Sequence, residues 1–281
     1  MAKNYPWPWF SSEMAARHSF YQARLPILSH FLKLDELAAT TLNKDSSPLG
    51  ERPQDYVACA FVSRAFRSVT SAVNLILSGY SDCHVALERT IWEMGITLFY
   101  INDLDAVGGA MGLLLSYYHN EVKIMKTEMD HMQAEGQPVL NLPENIKSTE
   151  EFSNILEEKA RSKGFDPSVL INKYAKVKIA TMCDHLRIRK AYDTSYAYMS
   201  AFAHGKFASV FETTKELTDK MGWILGPLTE EPEIAMTAQI YDVFNDYLIL
   251  NGGASQVLKD PTLEKNVAEA LEVLKKERLE P

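Results

Sequence analysis

Cys83–Ile101 reads CHVALERTIWEMGITLFYI, and its spacing decides the fold. Val85, Leu87, Ile91, Trp92 and Leu98 recur at helical intervals, which predicts a helix over Asp82 to Asn102 with a broad apolar stripe. Asp82, Arg89 and Glu93 stand at i, i+7 and i+11, so three charges share one face of a helix that is otherwise made to be buried.

Upstream, Ser78-Gly79-Tyr80-Ser81-Asp82 supplies a glycine stop and a Ser/Asp start with little between them. A connection that short predicts an antiparallel hairpin with a helix over Gln54 to Leu77. Downstream, Ala106 to Glu135 carries GGAMGLLLSYYHNEVKIMKTEMDHM and predicts another helix, where Gly108, Gly109 and Gly112 permit close backbone approach. Ser11 or Ser12 is placed to cap a first helix containing Met14, Phe20, Leu25, Ile27 and Leu28, kinked or split at Pro26. Gln133 to Ser148, with Gly136, Pro138 and Pro143, reads as the longest irregular stretch. Beyond it come a charged helix over Thr149 to Lys163, a helix start at Asp166-Pro167, and a long helix over Cys183 to Ala203 stopped by Gly205. Pro227 and Pro232 bracket a second loop, and Glu233 to Leu250 and Thr262 to Arg278 form the last helices, parted by Gly252-Gly253. The expectation is an all-α protein of one domain, 1–281: an N-terminal helical extension over 1–53, an antiparallel core bundle over 54–208 with a loop near 133–148, and C-terminal helices over 209–281.

Of 281 residues, 46% are hydrophobic and 23% charged, enough to bury a core, and the formal charge of -8 argues against coating long stretches of nucleic acid. It leaves room for a small anion site. Three cysteines, Cys59, Cys83 and Cys183, have no CxxC spacing and suggest neither a disulfide framework nor a thiolate metal site. Met1 to Phe10, MAKNYPWPWF, lacks a cleavage site after an apolar stretch, and no apolar run is long enough to span a bilayer. The expectation is a cytoplasmic protein without a membrane partner. The rigid, apolar Tyr5-Pro6-Trp7-Pro8-Trp9-Phe10 should pack on the core or on a second subunit.

Chemistry concentrates on two segments. Arg89 and Glu93 pair at i, i+4, either as a structural ion pair or as the wall of a pocket. Tyr192, Tyr196, Ser200 and His204 recur every four residues and form a polar stripe that ends at a helix C-terminus, where the dipole favours a protonated histidine. The alternative for that stripe is structural, His204 capping carbonyls and the tyrosines packed in the core. Other patterns carry less. Glu128-x-x-His131 is half of a di-iron motif without its second copy, and His84-x-x-x-Glu88 offers two ligands on one helix. Ser200 and His204 lack an oxyanion loop or a GxSxG elbow. No metal and no cofactor is expected.

The combination Ser78-Gly79-Tyr80, Ala86-Leu87-Glu88-Arg89-Thr90-Ile91-Trp92-Glu93 and Tyr196-x-x-x-Ser200-x-x-x-His204-Gly205 resembles a bacterial helical family known only as a domain of unknown function. That family is similar in outline to the HEPN (higher eukaryote and prokaryote nucleotide-binding) helical proteins, many of them RNases of toxin-antitoxin and phage-defence systems. The resemblance covers roughly residues 56–208. It implies a HEPN-like bundle, a homodimer, an RNA or nucleotide ligand, and a site with Arg89, Glu93 and His204 as catalytic residues and Tyr192, Tyr196 and Ser200 as ligand-binding ones. Any activity would be that of a metal-independent RNase, but the Arg-x4–6-His signature is absent, since Ala197, Tyr198 and Met199 stand where its arginine belongs. Arg24 and His30 fit that spacing with Pro26 interrupting the helix between them. The competing reading is a non-catalytic protein-interaction or regulatory module with a protein partner.

Overall fold

Helices alone make up the regular structure of the described residues, 19–42, 46–203 and 233–279, in the computed structural model. Pro26 opens a 3-10 turn, Pro26–His30, that leads into α1 (Phe31–Leu42), so the proline divides the first helical segment. Helix α2 (Pro53–Leu77) ends in a left-handed residue, Gly79 at φ 82°, where the Tyr80 amide donates to the Leu75 carbonyl and the Gly79 amide to Ile76. This Schellman cap makes the hairpin turn into α3 (Val85–Leu104). Asp105 then caps α4 (Ala106–Ala134), its carboxylate accepting from the Val107 and Gly108 amides at 3.1 Å.

Helix α5 (Leu142–Ser162) begins earlier than the irregular stretch over 133–148 allowed, because Pro143 lies in the first turn, where a missing amide costs nothing. It runs beside the outer half of α4, tied by Tyr118 against Phe152 at 4.6 Å and Lys126 to Glu150 at 2.6 Å. After the Asp166 cap come α6 (Pro167–Leu170), a π-turn over Ile171–Ala175, and α7 (Ile179–His185).

The expected long helix over Cys183 to Ala203 is broken. Arg187 adopts φ 59° and closes α7 with its own Schellman cap, Ile188 donating to Cys183 and Arg187 to Asp184. The chain resumes in α8 (Arg189–Ala191), widens into a π-turn at Tyr192–Tyr196, and continues as α9 (Ala197–Ala203). The expected division at Gly252-Gly253 is absent. Helix α10 (Glu233–Leu258) runs straight through it and stops at Lys259, φ 54°, before Asp260 caps α11 (Pro261–Leu279).

Helix α10 is the centre of the fold, lying against α2, α3 and α11. Leu250 faces Gly95 and Gly253 faces Leu98, so α10 and α3 run in the same direction, unlike the antiparallel α2–α3 hairpin. Phe244, Tyr247, Ile240 and Met236 are sealed within one continuous core that includes Ile91, Leu98, Ile76 and Val69. His30, in the turn before α1, meets Glu277 of α11 at 2.5 Å and ties the two ends of the described chain together. Arg24 instead pairs with Glu233 and lies over the Phe20 ring, so Arg24 and His30 serve different contacts.

Candidate functional site

Arg89 and Glu93 project one turn apart from α3 toward α9 and the π-turn before it, which pack across them. Arg89 Nε donates to Glu93 Oε1 at 2.8 Å, and its Nη2 donates to the Tyr196 hydroxyl at 3.1 Å. The Tyr196 hydroxyl donates in turn to the same Glu93 Oε1 at 2.8 Å, closing a triangle in which one carboxylate oxygen takes both donors. The Arg89 and Glu93 side chains are 18% and 32% exposed, and Tyr196 is 8% exposed.

Aromatic rings hold the phenol in place. Tyr192 stacks on Tyr196 at 4.9 Å, and Trp92 of α3 lies 5.2 Å away on a tilt of 32°. Below them Val85, Tyr196 and Met199 form a small apolar cluster of their own. Burial and then the hydrogen bond to Glu93 push the Tyr196 phenol up to about 12 from its ordinary 10.0, so it is a neutral donor at pH 7. Burial opposes the charge on Arg89, yet the hydrogen bond and charge of Glu93 outweigh it and hold the guanidinium above its ordinary range.

Of the six sequence-expected residues, the structure brings Arg89, Glu93 and Tyr196 into direct contact, with Tyr192 stacked beside them. Ser200 lies one turn further along α9, half-buried, and no hydrogen bond joins it to the triangle among the described residues. His204, Gly205, the Pro227 to Pro232 loop, Ser11, Ser12, Met14 and the aromatic segment Tyr5 to Phe10 lie outside the described residues. Sequence reasoning passed over Arg189, which pairs with Asp184 and Asp193 and sits 5.1 Å over the Tyr192 ring; its i, i+4 spacing to Asp193 was the available signal.

The pairs weighed as metal ligands are placed elsewhere. His84 is buried 3.4 Å from Glu88, on the side of α3 that meets α10. There burial, with Glu88 and Asp242 nearby, holds the Asp246 carboxyl well above the usual carboxylate range. Glu128 and His131 are both exposed on the outer half of α4. Among the described residues no three His, Cys, Asp or Glu side chains converge as a metal site would require, and no helix is long and apolar enough to cross a membrane.

The fold and site define an all-helical protein in which a polar triangle pins a π-turn to a core helix. The chain belongs to the DUF5677 family, a family of unknown function, whose profile matches residues 55–221. No curated protein and no solved structure matches it.

Proposed function

We propose that the protein is a non-catalytic helical interaction module in which Arg89, Glu93 and Tyr196 are a structural clamp, and that it acts through a protein partner in a cytoplasmic regulatory or defence setting of the kind the HEPN resemblance implies. The observation that carries this reading is the closed triangle. Arg89, Glu93 and Tyr196 each bond the other two, and Tyr192 and Trp92 stack against the phenol that closes the triangle. The acidic balance of the chain and the missing Arg-x4–6-His signature point the same way.

A second reading, a HEPN-like site for RNA or a nucleotide, is favoured by one observation. The half-buried Tyr192 ring carries Arg189 over its face, beside a stack that continues through Tyr196 to Trp92, and aromatic faces flanked by arginine suit an unpaired base. The two readings separate on paired measurements. In the first, Arg89→Ala strands Glu93 and costs about 1 to 2 kcal/mol, Tyr196→Phe costs about 1 kcal/mol, and short single-stranded RNA or mononucleotides bind neither variant nor wild type. Variants that melt like wild type but lose an RNA complex would establish the second reading instead.

The clamp also has a pH signature. Because the phenol's folded pKa lies above its unfolded value, its contribution is fully present below pH 10.0 and is lost as pH rises through about 12. Tyr196→Phe should remove its share of the alkaline limb in a pH series of denaturation midpoints and leave the share of Cys183 and Tyr247, whose pKa values burial also raises; a limb unchanged in size would show that the phenol contributes nothing to it. The assembly proposed with either reading is a homodimer, and light scattering at micromolar protein reads it directly.

A further inference from the structure

An open cleft of about 780 Å³ lies between α4, α5 and α6, within the size range of small-molecule sites, and none of the clamp residues lines it. Its charged groups are His119 of α4, Glu157 and Arg161 of α5, Asp166 at the start of α6, and Lys176 just after the π-turn that follows α6. The acids among them are already engaged. Glu157 Oε1 lies 3.1 Å from His119 Nε2, and its Oε2 accepts from Arg161 Nη2 at 2.7 Å. Asp166 Oδ1 accepts from the Ser168 amide and hydroxyl and from the Val169 amide, and these bonds hold its carboxyl below the usual range.

The cations keep reach to spare. Arg161 is 59% exposed beyond its bond to Glu157, and Lys176 is exposed and makes no ion pair among the described residues. Phe165 and Ile171, which pack on the main core, give the same cleft an apolar wall.

We propose that this cleft binds a small organic phosphate monoester, its phosphate between Arg161 and Lys176 and its apolar body against Phe165 and Ile171. A phosphate dianion offers more charge and more acceptor oxygens than a carboxylate, and the two cations that line the cleft come from separate segments of the chain. The site is independent of the reading of Arg89, since the two share no residue.

The test is a titration of the full chain with phenyl phosphate, followed by calorimetry and by amide shifts, with inorganic phosphate and benzoate in parallel. Saturable binding is expected, weakened about tenfold by Arg161→Ala and by Lys176→Ala at unchanged melting temperature, because both side chains are exposed. Inorganic phosphate should bind more weakly for want of the apolar contact, and benzoate more weakly for want of charge. Full affinity in the double variant, benzoate or inorganic phosphate binding as tightly as phenyl phosphate, or no saturable signal up to about 10 mM, a concentration corresponding to only about 3 kcal/mol of binding, would overturn the proposal. Lys176→Ala breaks no internal ion pair among the described residues, so its result stands even if loss of Arg161 disturbs Glu157.

Discussion

A fragment limited to residues 55–221, the stretch that the family profile matches, is expected not to fold by itself. That stretch contains α3 but lacks α10, the helix against which α3 is buried. Met236, Ile240, Val243, Phe244, Tyr247 and Leu250 of α10 have no exposed surface, and burying each is worth about 1.5 to 3 kcal/mol. Their joint loss comes to about 9 kcal/mol or more, comparable to the whole net stability of an ordinary domain. It would also bare Ile91 and Leu98 to water. Far-UV circular dichroism and a proton–nitrogen correlation spectrum decide the matter: collapsed amide dispersion and a melt without a cooperative step are expected. A dispersed spectrum with a sharp melt would mean that α10 is an accessory rather than the centre of the fold.

Gly112→Ala should be the most damaging of the point changes considered for this chain. A Cβ at Gly112 would lie 2.6 Å from the Leu170 carbonyl oxygen and 3.0 Å from its carbonyl carbon, and these are backbone atoms that cannot rotate aside. Helix α4 would have to move off α6, at a cost of about 3 kcal/mol or more, only partly offset by the roughly 1 kcal/mol that alanine gains over glycine in a helix. The comparison is Gly136→Ala, where φ is +69° and nothing lies within 4 Å, so only the left-handed strain of about 1 to 2 kcal/mol applies. Urea midpoints of the two variants should fall in that order. Equal midpoints would show that α4 and α6 slide apart freely.

The glycines of α4 illustrate how much was legible in the sequence. Gly108, Gly109 and Gly112 announced close approach, and Leu170 and Ile101 are what approaches. The hairpin at Gly79 and the face shared by Arg89 and Glu93 were equally plain, because each depends on residues a few positions apart. Two helix ends were not legible, and the reason is physical. Helices stop where a residue can turn left-handed, a role glycine fills without steric cost, and here Arg187 and Lys259 fill it instead. Gly252 and Gly253 thus looked like a stop, while their actual task is to let α10 lie close to Leu98 and Phe99. That Tyr196 is the partner of Arg89 was not legible, since nothing local says which member of a four-residue repeat will face α3. The cleft was invisible for a stronger reason: its donors at positions 119, 161 and 176 meet only once three elements have packed.

The π-turn at Tyr192–Tyr196 holds one residue more than an α-helical turn would, and the helix carries it without breaking. Each residue of an α-helix advances the azimuth by about 100°, so the extra residue acts as a phase shift on everything that follows. Tyr196 and Met199 both face Val85 only in the present phase. Removing one residue from the turn would therefore rotate α9 by about a quarter turn relative to α3, and the chain would leave Ala203 on a different heading without any change in the composition of the helix itself.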